Sequence, residues 1–181
     1  YDIRQDSWAK LTDVPTAAGK AKKVKAGAAL AFVSIPKTQP MRSNASSSPF
    51  LSPKTKEFEG SSQSLIYLLK GSGTFEFYAY WVEKDSWILK LDAPQGPDGK
   101  KFKAGSCLAY DPYRQYLWTI KGGTNEFYAY DLNAGIWLED KPRLTLIGRD
   151  GKKRKAKDGA AIAYHPATRS IYALKGGNTD E

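Results

Sequence analysis

The stretch Lys121-Gly122-Gly123-Thr124-Asn125-Glu126-Phe127-Tyr128-Ala129-Tyr130-Asp131, with Trp137 seven residues beyond Tyr130, recurs along this chain, and the recurrence constrains the fold more than any other feature. It returns as Lys70-Gly71-Ser72-Gly73-Thr74-Phe75-Glu76-Phe77-Tyr78-Ala79-Tyr80, with Trp87 at the same step. A third copy is split. Lys175-Gly176-Gly177-Asn178-Thr179-Asp180-Glu181 supplies its beginning, and Tyr1-Asp2 with Trp8 supplies its end, a Phe-Tyr-Ala-like tripeptide short of joining. The repeating lysine steps from 70 to 121 to 175, and the glycine opening the preceding segment from 27 to 105 to 159. A unit of about fifty residues is no domain by itself and must bury its apolar surface against neighbouring units.

Within the cleanest unit, β-branched and aromatic enrichment between turn residues predicts four strands, roughly Ser106 to Asp111, Gln115 to Lys121, Glu126 to Asp131 and Ile136 to Leu138. Asp111-Pro112, Gly122 to Asn125 and Asn133-Ala134-Gly135 make the turns, so each unit reads as a four-stranded antiparallel meander. The first strand of each unit is rich in small residues, as in Gly105-Ser106-Cys107-Leu108-Ala109, which suits strands converging on a crowded axis. The later strands, such as Leu65-Ile66-Tyr67-Leu68-Leu69, are apolar on both faces and must be sandwiched between other sheets. Radial stacking of such sheets is a β-propeller.

The diglycine, the tyrosine-aspartate and the tryptophan seven residues after the tyrosine resemble the kelch repeat. The best copy has Gly122-Gly123, Tyr130-Asp131 and Trp137; the first departs, with Gly71-Ser72-Gly73 and Tyr80-Trp81. The resemblance covers the chain apart from one insertion and implies an all-β fold of about three four-stranded kelch-like blades. Three twisted sheets surround an axis poorly. We therefore expect residues 1–181 to be one segment of a larger propeller, completed by a second copy or by further repeats of a parent chain, six blades being one such total.

The insertion falls between the first and second strands of the first unit, where Gly27 and Lys70 are much further apart than Gly105 and Lys121. Its core, residues 37–60, is rich in serine and proline without periodicity, and reads as an extended loop that is either a tolerated insertion or a binding element. Asn44-Ala45-Ser46 within it fits the glycosylation sequon.

The net charge of +9 suits an acidic partner. Basic residues cluster before each first strand: Lys20, Lys22, Lys23 and Lys25; Lys100, Lys101 and Lys103; Lys152, Lys153, Arg154, Lys155 and Lys157. Strand alternation should open these loops on the same side as Lys70, Lys121 and Lys175, giving one positive rim for an acidic polysaccharide or an acidic protein; nucleic acid ranks below these. The competing reading is a solvated loop face, partly neutralised by Glu76, Glu126 and Glu181, which recur five or six residues after those lysines.

The other candidates have structural readings. Trp8, Trp87 and Trp137 occupy equivalent positions and should pack between blades, while Trp81 and Trp118 break the pattern and are freer for a specific contact. His165 stands where the second unit has Asp111 and should cap a turn; Cys107 replaces the alanines at 29 and 161 and should be a small buried residue. One histidine and one cysteine supply neither a disulfide framework nor a two-histidine metal site, so no catalytic residue, metal or cofactor is expected. Kelch-type copper-radical oxidases need two histidine ligands and a cysteine-linked tyrosine, which this chain cannot provide. With no apolar run near bilayer length, membrane insertion is not expected.

The expectation is a non-catalytic binding or assembly module, with two rivals: a lectin-like or polyanion-binding propeller, and a sugar-modifying enzyme of the kelch-type epimerase kind relying on the repeated glutamates. The resemblance and the non-methionine start imply an extracellular or cell-surface protein.

Overall fold

The computed structural model describes residues 1–16, 22–35 and 63–181. The predicted insertion at 37–60, with Asn44, and Lys20 lie outside the described residues. Those residues form an all-β structure whose one helical element is a single 3-10 turn, Val82–Lys84. The first sheet has the order β1 (Ala29–Ile35), β2 (Gln63–Leu69), β3 (Phe77–Trp81), β4 (Ser86–Leu89). The second repeats it with β5 (Cys107–Asp111), β6 (Tyr116–Ile120), β7 (Phe127–Asp131) and β8 (Ile136–Leu138). A third, two-stranded sheet pairs β9 (Ala161–His165) with β10 (Ser170–Leu174). Every pairing between these strands is antiparallel.

Local chemistry fixes the hairpins. After β5, Asp111 Oδ1 accepts the backbone N–H groups of Tyr113 and Arg114, and Gln115 takes the left-handed conformation that turns the chain into β6. After β9, His165 Nδ1 accepts the N–H of Thr168 at 3.2 Å while Arg169 turns left-handed in the same place, so His165 caps a turn as its alignment with Asp111 predicts. Register then places alternate residues on opposite faces. Phe77 and Tyr67 of the first sheet meet Tyr130 of the second at ring separations of 5.0 and 6.1 Å, and Phe77 lies 4.9 Å from Trp137. Leu65, Leu69, Leu108 and Leu117 complete this core between the two sheets. Trp137 therefore packs between sheets, as its position in the repeat requires.

Three sheets stack in series, with β5 lying beside both β1 and β9. The middle sheet is consequently covered on both faces, whereas among the described residues the outer face of the first sheet is buried at Leu68, Tyr78 and Tyr80 but exposed along β1, and that of the third is exposed. Leu108 is 9% exposed, whereas its equivalent in the first sheet, Leu30, is 62% exposed; Ile120 is fully buried, whereas its equivalent in the third, Leu174, is 59% exposed. Phe32 and Tyr172 are exposed beside them.

The N-terminal residues reproduce the outer edge of the first sheet. Asp2 bridges Ser7 as Trp81 pairs with Ser86. Tyr1 donates its hydroxyl to Asp6 as Tyr80 does to Asp85, and both aspartates are left-handed. The Tyr1–Trp8 rings stand 5.2 Å apart, against 5.0 Å for Tyr80–Trp87 and 5.1 Å for Tyr130–Trp137. The bond to Asp85, with some burial, pushes the Tyr80 hydroxyl up to about 12.

Candidate functional site

Each first strand is entered through the same turn. Lys25, Lys103 and Lys157 offer their carbonyls to the N–H groups of Ala28, Ser106 and Ala160 at 3.1, 3.1 and 2.9 Å, across Gly27, Gly105 and Gly159 with φ of +86°, +86° and +82°. A left-handed third residue is the type II arrangement, which glycine adopts without strain. Upstream of the turn the chain alternates: Phe102 and Ala156 point inward and are buried, so Lys101, Lys103, Lys155 and Lys157 on either side point to solvent. Lys23 and Lys25 flank Val24 and are exposed, although Val24 is itself 42% exposed.

The turns of successive sheets touch. A Cβ added to Gly27 would stand 2.4 Å from the Lys103 carbonyl oxygen, and one added to Gly105 would stand 2.1 Å from that of Lys157. Lys103 also lays its stem within 3.6 Å of where a Gly123 Cβ would be, and Lys157 does the same over Gly177. The three lysine-bearing segments thus run side by side along one edge of the stack. Lys100, Lys152 and Lys153 are exposed on the same segments, and Lys22 is half-buried. Among the described residues, Lys100 alone of these lysines has an ion pair, 2.8 Å from Asp98. That bond, followed by the positive field of Lys100, Arg143 and Lys155, holds the Asp98 carboxyl below its usual range. Lys155 belongs to the segment before the third sheet and Lys100 to the one before the second, so the field is shared across the stack.

Lys70, Lys121 and Lys175 correct the expected rim. They are 1%, 0% and 6% exposed, and their ammonium groups are turned into the stack. Lys121 Nζ lies 2.9 Å from Glu126 Oε2 and donates to the carbonyls of Gln95 at 2.6 Å and Pro94 at 3.2 Å, which accounts for its three protons. The rings of Phe75, Phe102 and Tyr128 surround it at 5.5 to 6.0 Å. Lys70 repeats the pattern with Glu76 at 2.6 Å and the Pro15 carbonyl at 3.0 Å; Lys175 pairs with Glu181 at 2.7 Å. Tyr78 and Tyr128 donate to Glu76 and Glu126, and burial first, then those carboxylates, pushes both hydroxyls well above the usual tyrosine range. The physical reason is that a buried charge persists only when paired and hydrogen-bonded, and the glutamate, tyrosine and carbonyls of this motif provide that. The same contacts occupy the glutamates on which an enzymatic reading rests.

The remaining candidates are engaged within the fold. Trp118 stacks on Phe127 at 5.2 Å and donates to Asp111 Oδ2 at 3.3 Å, while Trp81 packs against the core with Lys84 3.9 Å above its ring. Cys107 is half-buried, and its thiol is pushed up to about 11 by burial. Asn125, missed in the sequence, spans the gap to the next segment: its side-chain amide donates to the carbonyls of Leu144, Thr145 and Arg154. A hollow of about 330 Å³ beside the third sheet is lined by Arg149 and Arg154 but also by Asp150, Asp180 and Glu181, so it carries both signs.

Among the described residues, no helix is long and apolar enough to cross a membrane, and no three His, Cys, Asp or Glu side chains converge as a metal site would require. No protein-family model matches the chain, and no curated protein matches it.

Proposed function

We propose that the chain is a segment of a kelch-like β-propeller acting as a non-catalytic binding module, and that its binding surface is the basic edge, which takes an acidic polymer such as an acidic polysaccharide or an acidic protein segment. One observation carries the reading: glycine turns in backbone contact set Lys25, Lys103 and Lys157 side by side, with further exposed lysines between them. A row of cations with little local neutralisation suits a ligand with repeated negative charge better than a single small anion. The ligand class also favours a site outside the cell or on its surface, which protease accessibility on intact cells would test.

Heparin and poly-glutamate titrated against the protein test the proposal. Displacing about four counterions predicts roughly a hundredfold weaker binding between 50 and 200 mM salt. Replacing Lys100, Lys101 and Lys103 by glutamate should weaken it further. Binding indifferent to both changes, or no binding at low salt, sinks the reading.

A further inference from the structure

Two tips on the basic edge are built alike. Gly96-Pro97-Asp98-Gly99 and Gly148-Arg149-Asp150-Gly151 each place an aspartate before a left-handed glycine, with φ of +59° at Gly99 and +74° at Gly151. In each, the N–H of that glycine donates to the carbonyl of the first glycine, at 3.2 and 2.9 Å, and two lysines follow. A Cβ added to Gly99 or Gly151 would meet nothing within 4 Å, so the outer end of each turn stands clear of its surroundings. The aspartate of each tip is bonded to the basic residues behind it. Asp98 accepts from Lys100 Nζ at 2.8 Å, and Asp150 accepts from the Arg154 guanidinium and the backbone N–H of Lys152.

The first of these carboxylates lies where three basic segments meet. Gly96 is held against the start of β7, where an added Cβ would stand 2.5 Å from Glu126 Oε2 and 2.6 Å from the Tyr128 hydroxyl. Asn125, beside Glu126, donates to the carbonyls of Leu144 and Arg154, which carries their neighbours Arg143 and Lys155 to the same place. The positive fields of Arg143 and Lys155 both reach Asp98, and that of Arg143 reaches Tyr128. Lys100, Arg143 and Lys155 thus converge on a carboxylate that the chain itself supplies, and all four residues are exposed.

We propose that Asp98 and Asp150 are built-in stand-ins for the acidic groups of the ligand, each holding cations of the basic edge until an acidic polymer displaces it. The inference rests on the basic-edge reading and adds a selectivity device to it. Exposed ion pairs are weak, so a ligand carboxylate or sulfate can replace either aspartate at little cost. A single small anion must compete with a carboxylate tethered beside its cation. A polymer already bound elsewhere along the row presents its next acidic group at a comparably high local concentration, so the device favours polymers over monomeric anions.

Heparin titrations of the 181-residue chain in about 150 mM salt test this. Asp98→Asn and Asp150→Asn keep the side-chain shape and remove the charge, and each should tighten heparin binding roughly two- to fivefold. Glu83→Gln removes the same charge at the far end of β3, beyond its screened reach, and should leave the affinity unchanged. Lys100→Gln should weaken binding less in the unaltered chain, where Asp98 already holds that lysine, than in the Asp98→Asn chain. Equal losses in the two backgrounds, or an asparagine variant binding no tighter than Glu83→Gln, overturns the inference and leaves the basic edge standing. Heparin bound by none of these chains even at low salt removes the basic-edge reading, and this inference with it.

Discussion

The indole N–H of Trp137 donates to the carbonyl oxygen of Leu91 at 3.0 Å, joining the outer strand of the second sheet to the segment that leaves the first. The bond secures a buried ring that also packs on Phe77 and Tyr130. Trp137→Phe should cost about 1–3 kcal/mol by leaving that carbonyl unsatisfied. Trp137→Ala should cost about 3–5 kcal/mol through the added cavity. Urea unfolding followed by circular dichroism measures both, and an unchanged stability for Trp137→Phe would mean the indole bond contributes nothing of its own.

Lys121→Met removes one side of a buried pair whose members are 0% and 4% exposed. Glu126 would then be a buried carboxylate with only Tyr128 donating to it from a side chain, and a loss of about 3–5 kcal/mol is expected. Lys121→Met with Glu126→Gln should recover part of that loss, because no charge is left stranded. A double variant as unstable as the sum of the two single ones would show that the pair is not coupled.

Acid should weaken the hairpin between β5 and β6. Burial raises the Asp111 carboxyl, but bonds from Arg114, Trp118 and the Tyr113 N–H outweigh it, and the group titrates below its ordinary value of 3.8. A folded-state value below the unfolded one contributes stability that is fully present above about pH 5 and is lost as pH falls through the folded value. Glu181, lowered chiefly by its bond from Lys175, adds a loss of the same sign. Asp111→Asn should flatten the acid limb of a stability-against-pH curve; an unchanged limb would exclude Asp111 as its source.

Gly105→Ala and Gly99→Ala separate backbone strain from crowding. Both glycines are left-handed, at +86° and +59°, and each substitution carries about 1–2 kcal/mol of conformational cost. At Gly99 a Cβ meets nothing within 4 Å, whereas at Gly105 it meets the Lys157 carbonyl at 2.1 Å. The Gly105 variant should therefore unfold at distinctly lower urea concentration. Matching midpoints would mean that the turns of neighbouring sheets are not in contact in solution.

The strands of the second sheet were legible to within a residue at each end, and β8 coincides with its prediction, because alternating aromatics between glycine and asparagine turns leave little choice of register. Lys100, Lys101 and Lys103 were equally legible as a basic loop, but the burial of Phe102 between them was not. Burial of Lys121 was not, since a lysine before two glycines reads as a solvent-facing turn. Its signals were Glu126 and Tyr128, five and seven residues on, but its other partners, the carbonyls of Pro94 and Gln95, are backbone groups that carry no signature in a sequence. The clasp made by Asn125 escaped for the same reason, and because Phe75 and Asp180 occupy its place in the other units.

The carbonyls that receive Lys121 and Trp137 always belong to the segment preceding their own sheet. Lys70 and Trp87 obey the same rule with Pro15 and Thr12. For these lysines and tryptophans the acceptors are made before the donors, whereas Gly123 and Asn125 donate forward, to carbonyls of the segment that follows their sheet. A nascent chain can therefore satisfy its buried lysines and its outer-strand tryptophans in order of synthesis, while the Asn125 clasp closes only when the next segment has been made. Removing residues 1–16 should loosen the first sheet, and stopping at residue 140 should leave it intact; hydrogen exchange of Tyr78 and Tyr80 amides reads the difference.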